Sequence, residues 1–289
     1  MEIEERIEEN AFDPHARPKE IRRVEFDPAP DNPTWNVVEA VAVWIASVLL
    51  ILIIPTIFLL PYIAIQDPPI TDRDQILEFA RSNPTSIVLQ IVAILPAHIL
   101  TLFLAWLVVT RGRVYSFRQT LGWQTGGFRW WHYGIVLGGF LVVASVVGSY
   151  FPEQENDLIR ILRSSRSAVY IVAFVATFTA PIVEEVVYRG VLYSAFQKKF
   201  GVPVAFILVT FLFALVHVPQ YYPSFSTILL LTLLSLTLTA IRVRTGNLLP
   251  CIILHTLFNG LQSVLLIIEP FLKTAKIDEI TAVMFQIQK

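Results

Sequence analysis

The sequence predicts an all-α fold, a polytopic transmembrane helix bundle of about seven or eight spans. Hydrophobic residues make up 55% of the chain and charged residues 16%, and the mean hydropathy is +0.62. All three values lie on the apolar side of those of soluble proteins. Apolar runs of about 17–25 residues recur along the chain, and this is the length that a helix needs to cross the hydrocarbon of a bilayer.

Seven apolar segments follow a charged, proline-bearing stretch at residues 1–36, which we interpret as a cytoplasmic arm. The segments are predicted at residues 37–65, 86–109, 134–151, 167–197, 203–218, 225–241 and 248–268. Residues 269–289 alternate apolar and polar side chains, which predicts a C-terminal tail that forms an interfacial helix or a weak eighth span. Seven spans are preferred, and eight are the alternative.

Prolines predict irregularities in two of these segments. Pro55 and Pro61 predict that the first segment breaks into a span plus an interfacial piece. Residues 167–197 are too many for one straight crossing, and Pro181 predicts a kink within them.

Lysine and arginine residues concentrate in alternate connections, and this asymmetry predicts the orientation of the chain. These connections carry Arg22, Arg23, Arg111, Arg113, Lys198, Lys199, Arg242 and Arg244. The intervening connections are richer in Asp and Glu, although Arg160, Arg163 and Arg166 weaken the contrast. We therefore expect an integral protein of a bacterial cytoplasmic membrane, with its N-terminus in the cytoplasm.

Composition excludes other classes. The net charge of −1 argues against a nucleic-acid partner. Cys251 is the single cysteine, so no intramolecular disulfide is possible. The acidic N-terminus is unlike the basic start of a signal peptide, and we expect no cleaved targeting segment.

Polar residues recur inside three of the apolar segments. Glu184 and Glu185 are adjacent, His217 ends a run of apolar residues, and His255 and Asn259 share a helix face. Carboxylates at membrane depth are costly and usually functional. At 1.5 Å per residue, Glu184, His217, His255 and Asn259 fall within one band of depth. Together they suit proton transfer and oxyanion binding, which predicts an enzyme.

The two glutamates have different local partners. Glu185 and Arg189 lie four residues apart on one helix face, in the favourable order for an ion pair. Glu184 points about 100° away and lacks such a partner, so it is the candidate general base. Tyr188, four residues further on, is predicted to hydrogen-bond to Glu184.

Structural roles remain open for these residues. The Glu–Arg pair can simply connect helices, and His217 lies near a span end, where an interfacial His is common. His255 and Asn259 can act as hydrogen-bonding groups between helices. His98 and His132 lack partners in the sequence, and we interpret both as structural.

Three motifs in consecutive apolar segments resemble those of the CPBP family. They are Glu-Glu-x-x-x-Arg at 184–189, Phe-x-x-x-His at 213–217 and His-x-x-x-Asn at 255–259. This family comprises type II CAAX prenyl endopeptidases and bacteriocin-processing or immunity proteins, and is also called the Abi family. The resemblance covers about residues 167–268 and implies a four-helix catalytic core there, with N-terminal transmembrane helices at 37–166.

The resemblance implies an intramembrane endopeptidase whose partners are the lipid bilayer and a peptide or membrane-protein substrate. The implied catalytic residues are Glu184, His217, His255 and Asn259, supported by Glu185, Arg189 and Tyr188. Glu184 would activate water with the help of His217. His255 and Asn259 would bind the oxyanion.

Two alternatives to a metal-free, cofactor-free protease stay open. Glu184, His217 and His255 could instead bind zinc, although the His-Glu-x-x-His helix typical of many zinc proteases is absent. The chain could also be a non-catalytic membrane protein, such as an immunity factor, a scaffold or a transporter. A transporter would favour inverted repeats, and the sequence contains no convincing repeat.

Overall fold

The computed structural model describes the backbone of residues 27–286 and the side chains of residues 27–268 except Asp157 and Ser164. Most of the predicted N-terminal arm, with Arg22 and Arg23, lies outside the described residues. Every regular element within the described range is helical, which confirms the all-α prediction.

Thirteen α-helices follow one another along the described chain. They are α1 (Val37–Ala64), α2 (Arg73–Ser82), α3 (Pro84–Val92), α4 (Ile94–Thr110), α5 (Phe117–Leu121), α6 (Trp130–Tyr150), α7 (Asp157–Ser164), α8 (Arg166–Phe174), α9 (Ala180–Glu185), α10 (Tyr193–Phe200), α11 (Val202–Tyr221), α12 (Phe225–Thr245) and α13 (Leu249–Gln286). Two π-helical stretches, Val175–Thr179 and Val186–Leu192, join α8, α9 and α10 into one long helix.

Seven helical segments of the described chain are long and apolar enough to cross a membrane, which confirms the preferred count of spans. They are Val37–Ala64, Pro84–Thr110, Trp130–Tyr150, Arg166–Phe200, Val202–Tyr221, Phe225–Thr245 and Leu249–Ile268. The protein is an integral membrane protein.

One expectation about helix ends is wrong. The first span is not broken, because α1 continues through both Pro55 and Pro61. A break would expose unpaired backbone groups to hydrocarbon, which costs more than the hydrogen bonds that the prolines remove.

The tail is helical and continuous with the seventh span, because α13 runs from Leu249 to Gln286. No glycine lies between residues 261 and 286 to end the helix. That the tail lies at the membrane interface stays a prediction.

The kink expected at Pro181 takes the form of a change in helix type. A π-helical turn at Val175–Thr179 ends directly before Ala180, and Pro181 lies in the first turn of α9, where its missing N–H costs little. The second π-helical stretch, Val186–Leu192, follows the two glutamates. Each π-helical turn holds an extra residue and so rotates the side chains that come after it.

Hydrogen bonds join the connections that carry Lys and Arg at one end of the bundle, which we call the basic end. Lys198 Nζ donates to Pro33 O at 2.9 Å, and Arg242 Nη2 donates to Pro30 O at 3.1 Å. The backbone N–H of Leu248 donates to Gly122 O at 2.8 Å. The connections at 65–72, 151–156 and 222–224, together with α2 and α7, lie at the opposite end, which we call the acidic end.

Candidate active site

A cavity of about 740 Å³ lies between α1, α4, the long helix at 166–200, α11, α12 and α13. Its volume is in the usual range of ligand sites, roughly 300–1,000 Å³. Glu184, His217, His255 and Asn259 all line it. The structure therefore brings together, in one cavity, four polar residues that the sequence distributes over three spans.

The two adjacent glutamates have different surroundings. Glu185 has a fully buried side chain, whereas 24% of the Glu184 side chain is exposed. Successive residues of a helix point about 100° apart, so only one of the two can face the cavity. Glu184 is the carboxylate that a ligand can reach.

Glu185 holds two other side chains in place. Its Oε1 accepts hydrogen bonds from Arg189 Nη1 at 2.8 Å and from His255 Nδ1 at 2.8 Å. The predicted ion pair between Glu185 and Arg189 is therefore present, and it extends to a third residue from α13. Glu185 Oε2 is buried and has no hydrogen-bond partner among the described residues.

Arg189 links this pair to the neighbouring helix α12. Its Nη2 donates to Ser235 Oγ at 2.8 Å and to Ser235 O at 3.1 Å, and its Nε donates to Thr239 Oγ1 at 3.4 Å. The guanidinium carbon also lies 4.8 Å from the centre of the Phe213 ring. A buried ion pair is tolerated only when additional hydrogen bonds satisfy its charges, and α12 supplies them.

His255 lies between the two carboxylates. Because an ionised carboxylate can only accept, Nδ1 donates its hydrogen to Glu185. The other ring nitrogen, Nε2, lines the cavity side and lies 3.7 Å from Glu184 Oε2. Nε2 can therefore donate a hydrogen bond to a ligand only when both ring nitrogens are protonated.

The ring of His217 is oriented by its own helix. Nδ1 lies 2.7 Å from Phe213 O, and because a carbonyl oxygen only accepts, Nδ1 carries the hydrogen. In the neutral imidazole Nε2 is then an acceptor, so a hydrogen bond from water or substrate can end there.

Asn259 is held against the first π-helical stretch. Its Nδ2 donates to Ala176 O at 2.9 Å. One turn further along α13, Ser263 Oγ accepts from Thr177 Oγ1 at 2.9 Å, so the two helices are joined at two points. A carboxamide has two N–H groups, and the bond to Ala176 leaves the second for a ligand.

Tyr188 lines the cavity but has a partner that the sequence did not indicate. Its hydroxyl oxygen accepts from Trp44 Nε1 of α1 at 3.1 Å. The predicted hydrogen bond from Tyr188 to Glu184 is not present among those of the described residues, and the bond from Trp44 leaves the Tyr188 O–H free to donate to a ligand.

His98 is a cavity residue that the sequence analysis treated as structural. It is buried and lines the same cavity as Glu184. Thr179 Oγ1 donates to Val175 O at 3.1 Å, so it accepts from His98 Nδ1, which lies 3.0 Å away. His98 Nε2 is then an acceptor in the neutral ring. The sequence feature that could have identified His98 as a cavity residue is its position, as an ionisable side chain, within an apolar span.

His132, by contrast, does not line this cavity and stacks on Trp131 with ring centres 3.7 Å apart.

The zinc alternative requires three ligands that converge on one point. Among the side chains that the structure describes, no group of three His, Cys, Asp or Glu residues is placed to hold an ion. The bond from His255 Nδ1 to Glu185 leaves Nε2 free, an arrangement that zinc-bound histidines share, so this bond does not decide between the two interpretations. The metal requirement stays a prediction.

One comparison with known proteins matches the part of the chain that carries Glu184, His217, His255 and Asn259. Residues 166–261 match the family model described as Type II CAAX prenyl endopeptidase Rce1-like. This segment, about a third of the chain, is similar to the CAAX protease family. The match contains all three motifs on which the resemblance rested, at 184–189, 213–217 and 255–259. No curated protein matches the chain, and no solved structure does.

The Rce1-like match indicates a peptidase of the CAAX type, acting on a peptide or protein substrate in the membrane. His98 lines the cavity and precedes the matched segment, as does Trp44, which bonds to the lining residue Tyr188, so the match does not cover every residue that shapes the site.

Proposed function

We propose that this protein is an intramembrane endopeptidase that hydrolyses a peptide bond with a water molecule activated by Glu184. The observation that carries the proposal is the contrast between two neighbours, since Glu184 faces the cavity while Glu185 is fully buried in an ion pair. A general base must reach the proton that it removes, and of the two carboxylates only Glu184 can do so.

In the first step the Glu184 carboxylate takes one proton from water, while His217 Nε2 accepts a hydrogen bond from the other hydrogen, which stays on the oxygen. The tautomer fixed by Phe213 O makes Nε2 available for this contact. The oxygen of the resulting hydroxide forms a bond to the carbonyl carbon of the peptide, and the π electrons of the carbonyl move to its oxygen.

His255 and Asn259 stabilise the oxyanion formed in this way. Asn259 contributes the side-chain N–H that is not bonded to Ala176 O, and His255 contributes Nε2–H as an imidazolium. Donors of this kind act most strongly in a site from which bulk water is excluded. The C–N bond then breaks, and the nitrogen takes the proton held by Glu184, which gives a carboxylic acid and an amine.

Glu185 and Arg189 are positioning residues in this scheme. They contact neither water nor substrate, but Glu185 fixes the His255 ring through Nδ1. The proposal uses no metal ion, because each polar group has a role without one.

The test compares peptide termini in membranes that contain the wild-type protein with those in membranes that contain Glu184→Gln. Glu155→Gln, at an exposed residue outside the cavity, is the matched control. We expect new termini with the wild type and the control, and a loss of at least ~10²-fold with Glu184→Gln. Equal amounts of the same termini with Glu184→Gln would overturn the proposal.

A further inference from the structure

Two tyrosine hydroxyls in the cavity have no part in the proposed hydrolysis, and both have a hydrogen to donate. Tyr188 and Tyr221 line the cavity together with Glu184 and His217. A phenol hydroxyl is one donor and also an acceptor. Because a donor inside an apolar site is costly unless it has an acceptor, the two hydroxyls indicate what kind of molecule the cavity receives.

The Tyr188 hydroxyl is held in place from α1. Tyr188 is buried, and its hydroxyl oxygen accepts a hydrogen bond from Trp44 Nε1 at 3.1 Å. This bond occupies a lone pair of the oxygen and leaves the O–H hydrogen. Among the described residues no acceptor lies in reach of that hydrogen. Trp44 therefore fixes the hydroxyl, and its hydrogen remains for a molecule in the cavity.

Tyr221 provides a second donor, closer to the acidic end of the bundle. It is the last residue of α11, and its side chain is half-buried in the cavity wall. Within the part of the chain that the structure describes, its hydroxyl makes no hydrogen bond. Its ring stacks on that of His217, four residues earlier, with ring centres 6.3 Å apart.

A continuous row of four rings connects the two tyrosines along the cavity wall. Tyr188 packs edge-on against Phe213 with ring centres 5.1 Å apart, and Phe213 lies 4.6 Å from His217. Phe213, His217 and Tyr221 recur every four residues, which places them on one face of α11. We call these four residues the aromatic row. The two tyrosines form its ends, so they lie on opposite sides of His217.

The length of the aromatic row fits an extended peptide. From Phe213 to Tyr221 the helix rises about 12 Å, and an extended chain advances about 3.3 Å per residue, so the row can accompany roughly four residues. A peptide that enters an apolar cavity loses the water bound to its backbone carbonyl groups, and each carbonyl then needs a donor. The phenol hydroxyls supply one such donor on each side of His217.

On the basis of the proposed function, we propose that Tyr188 and Tyr221 bind backbone carbonyl oxygens of the substrate on opposite sides of the cleaved bond. The ligand of this subsite is an extended apolar peptide, recognised through its main chain. The two hydrogen bonds hold the cleaved bond beside the water that Glu184 and His217 orient. Trp44 is a positioning residue, because it contacts the Tyr188 hydroxyl and not the peptide.

The test measures binding of two dansyl-labelled probes to detergent-purified Glu184→Gln protein by fluorescence anisotropy. One probe is an octapeptide of alternating Leu and Ala with a C-terminal amide, since main-chain recognition does not depend on the side chains. The other is dodecylamine, an alkyl chain without carbonyl groups. Tyr188→Phe and Tyr221→Phe are compared with Tyr193→Phe, at a buried tyrosine outside the cavity wall, and with Tyr222→Phe, at an exposed one.

We expect Tyr188→Phe and Tyr221→Phe each to weaken binding of the octapeptide about five- to tenfold, the scale of one hydrogen bond, and to leave binding of the alkyl chain unchanged. The Tyr193→Phe and Tyr222→Phe controls should bind both probes as the parent protein does. Trp44→Phe should weaken octapeptide binding by less than Tyr188→Phe. It should have no further effect when the two are combined, because the hydroxyl that Trp44 positions is then absent.

Equal octapeptide binding by all variants, a parallel loss of both probes in the tyrosine variants, or no octapeptide binding at all would overturn the subsite. The proposed function is judged separately, by the new peptide termini that depend on Glu184. Such termini without tyrosine-dependent binding would support the hydrolysis and refute the subsite. Tyrosine-dependent binding without such termini would retain the subsite and contradict the hydrolysis.

Discussion

Glu185 and His255 are joined by a hydrogen bond of 2.8 Å between Oε1 and Nδ1, although 70 residues separate them in the chain. The bond fixes the ring so that Nε2 faces the cavity. The two adjacent glutamates therefore differ, because Glu185 holds the His255 ring and Glu184 remains open to water. We call the hydrogen-bonded group of Glu185, Arg189 and His255 the buried frame. A reachable base beside such a group is the arrangement that the proposed hydrolysis needs.

Arg189→Ala should destabilise the protein by roughly 3–5 kcal/mol, because it leaves the Glu185 carboxylate buried without its counter-charge. The measurement is thermal or denaturant unfolding in detergent. Arg163→Ala is the control, since it removes an exposed pair with Glu155 that contributes at most about 1 kcal/mol. Equal stability of the two variants would contradict the buried frame.

Substitutions of His217 separate the roles of its two nitrogens. Asn can reproduce the hydrogen bond from Nδ1 to Phe213 O, whereas Gln places an acceptor near the position of Nε2. If Nε2 orients the water, kcat should fall in the order wild type, His217→Gln, His217→Asn, with the last about 10²-fold below wild type. A His217→Asn enzyme faster than His217→Gln would show that Nδ1 is the nitrogen that matters.

His98 and His132 should differ, although the sequence analysis interpreted both as structural. His98 lines the cavity and its ring is held by Thr179, whereas His132 stacks on Trp131 outside the cavity. We expect His98→Ala to lower kcat/KM about tenfold, the scale of one hydrogen bond, and His132→Ala to leave it unchanged. Similar kinetics for the two variants would restore the structural interpretation of His98.

The basic end should face the cytoplasm. Lys199 and Arg244 are exposed there, so a cysteine at either position, in a Cys251→Ser background, should resist an impermeant maleimide applied to intact cells. A cysteine at Glu155, at the acidic end, should react. Cys251 is buried, so its replacement removes no accessible thiol. Labelling of the Lys199 and Arg244 positions from outside, with protection at Glu155, would reverse the orientation.

The sequence predicted the helices better than the side-chain contacts between them. Hydropathy located seven spans, because each span must bury its backbone groups whatever its neighbours are. The pair of Glu185 and Arg189 was also predictable, since i,i+4 spacing places both on one helix face. The prolines of α1 do not break the helix, because a break in hydrocarbon would leave backbone groups unpaired, whereas in water those groups would be solvated.

The remaining contacts of the site depend on tertiary packing. The bond from Trp44 to Tyr188 and that from His98 to Thr179 join residues 144 and 81 positions apart. No local spacing encodes either contact. The π-helical turn at Val175–Thr179 also sets which side chains face Asn259 and His98, and a sequence pattern of period 3.6 does not reveal such a turn.

The role of Glu184 as the general base is tested by the turnover of purified Glu184→Gln on a peptide that the wild type cleaves, with thermal unfolding measured alongside. We predict that kcat falls by at least ~10²-fold while the unfolding midpoint stays at the wild-type value, because Glu184 faces the cavity and the buried contacts of Glu185 are untouched. A Glu184→Gln protein that cleaves the peptide within threefold of the wild-type rate would show that Glu184 is not the base.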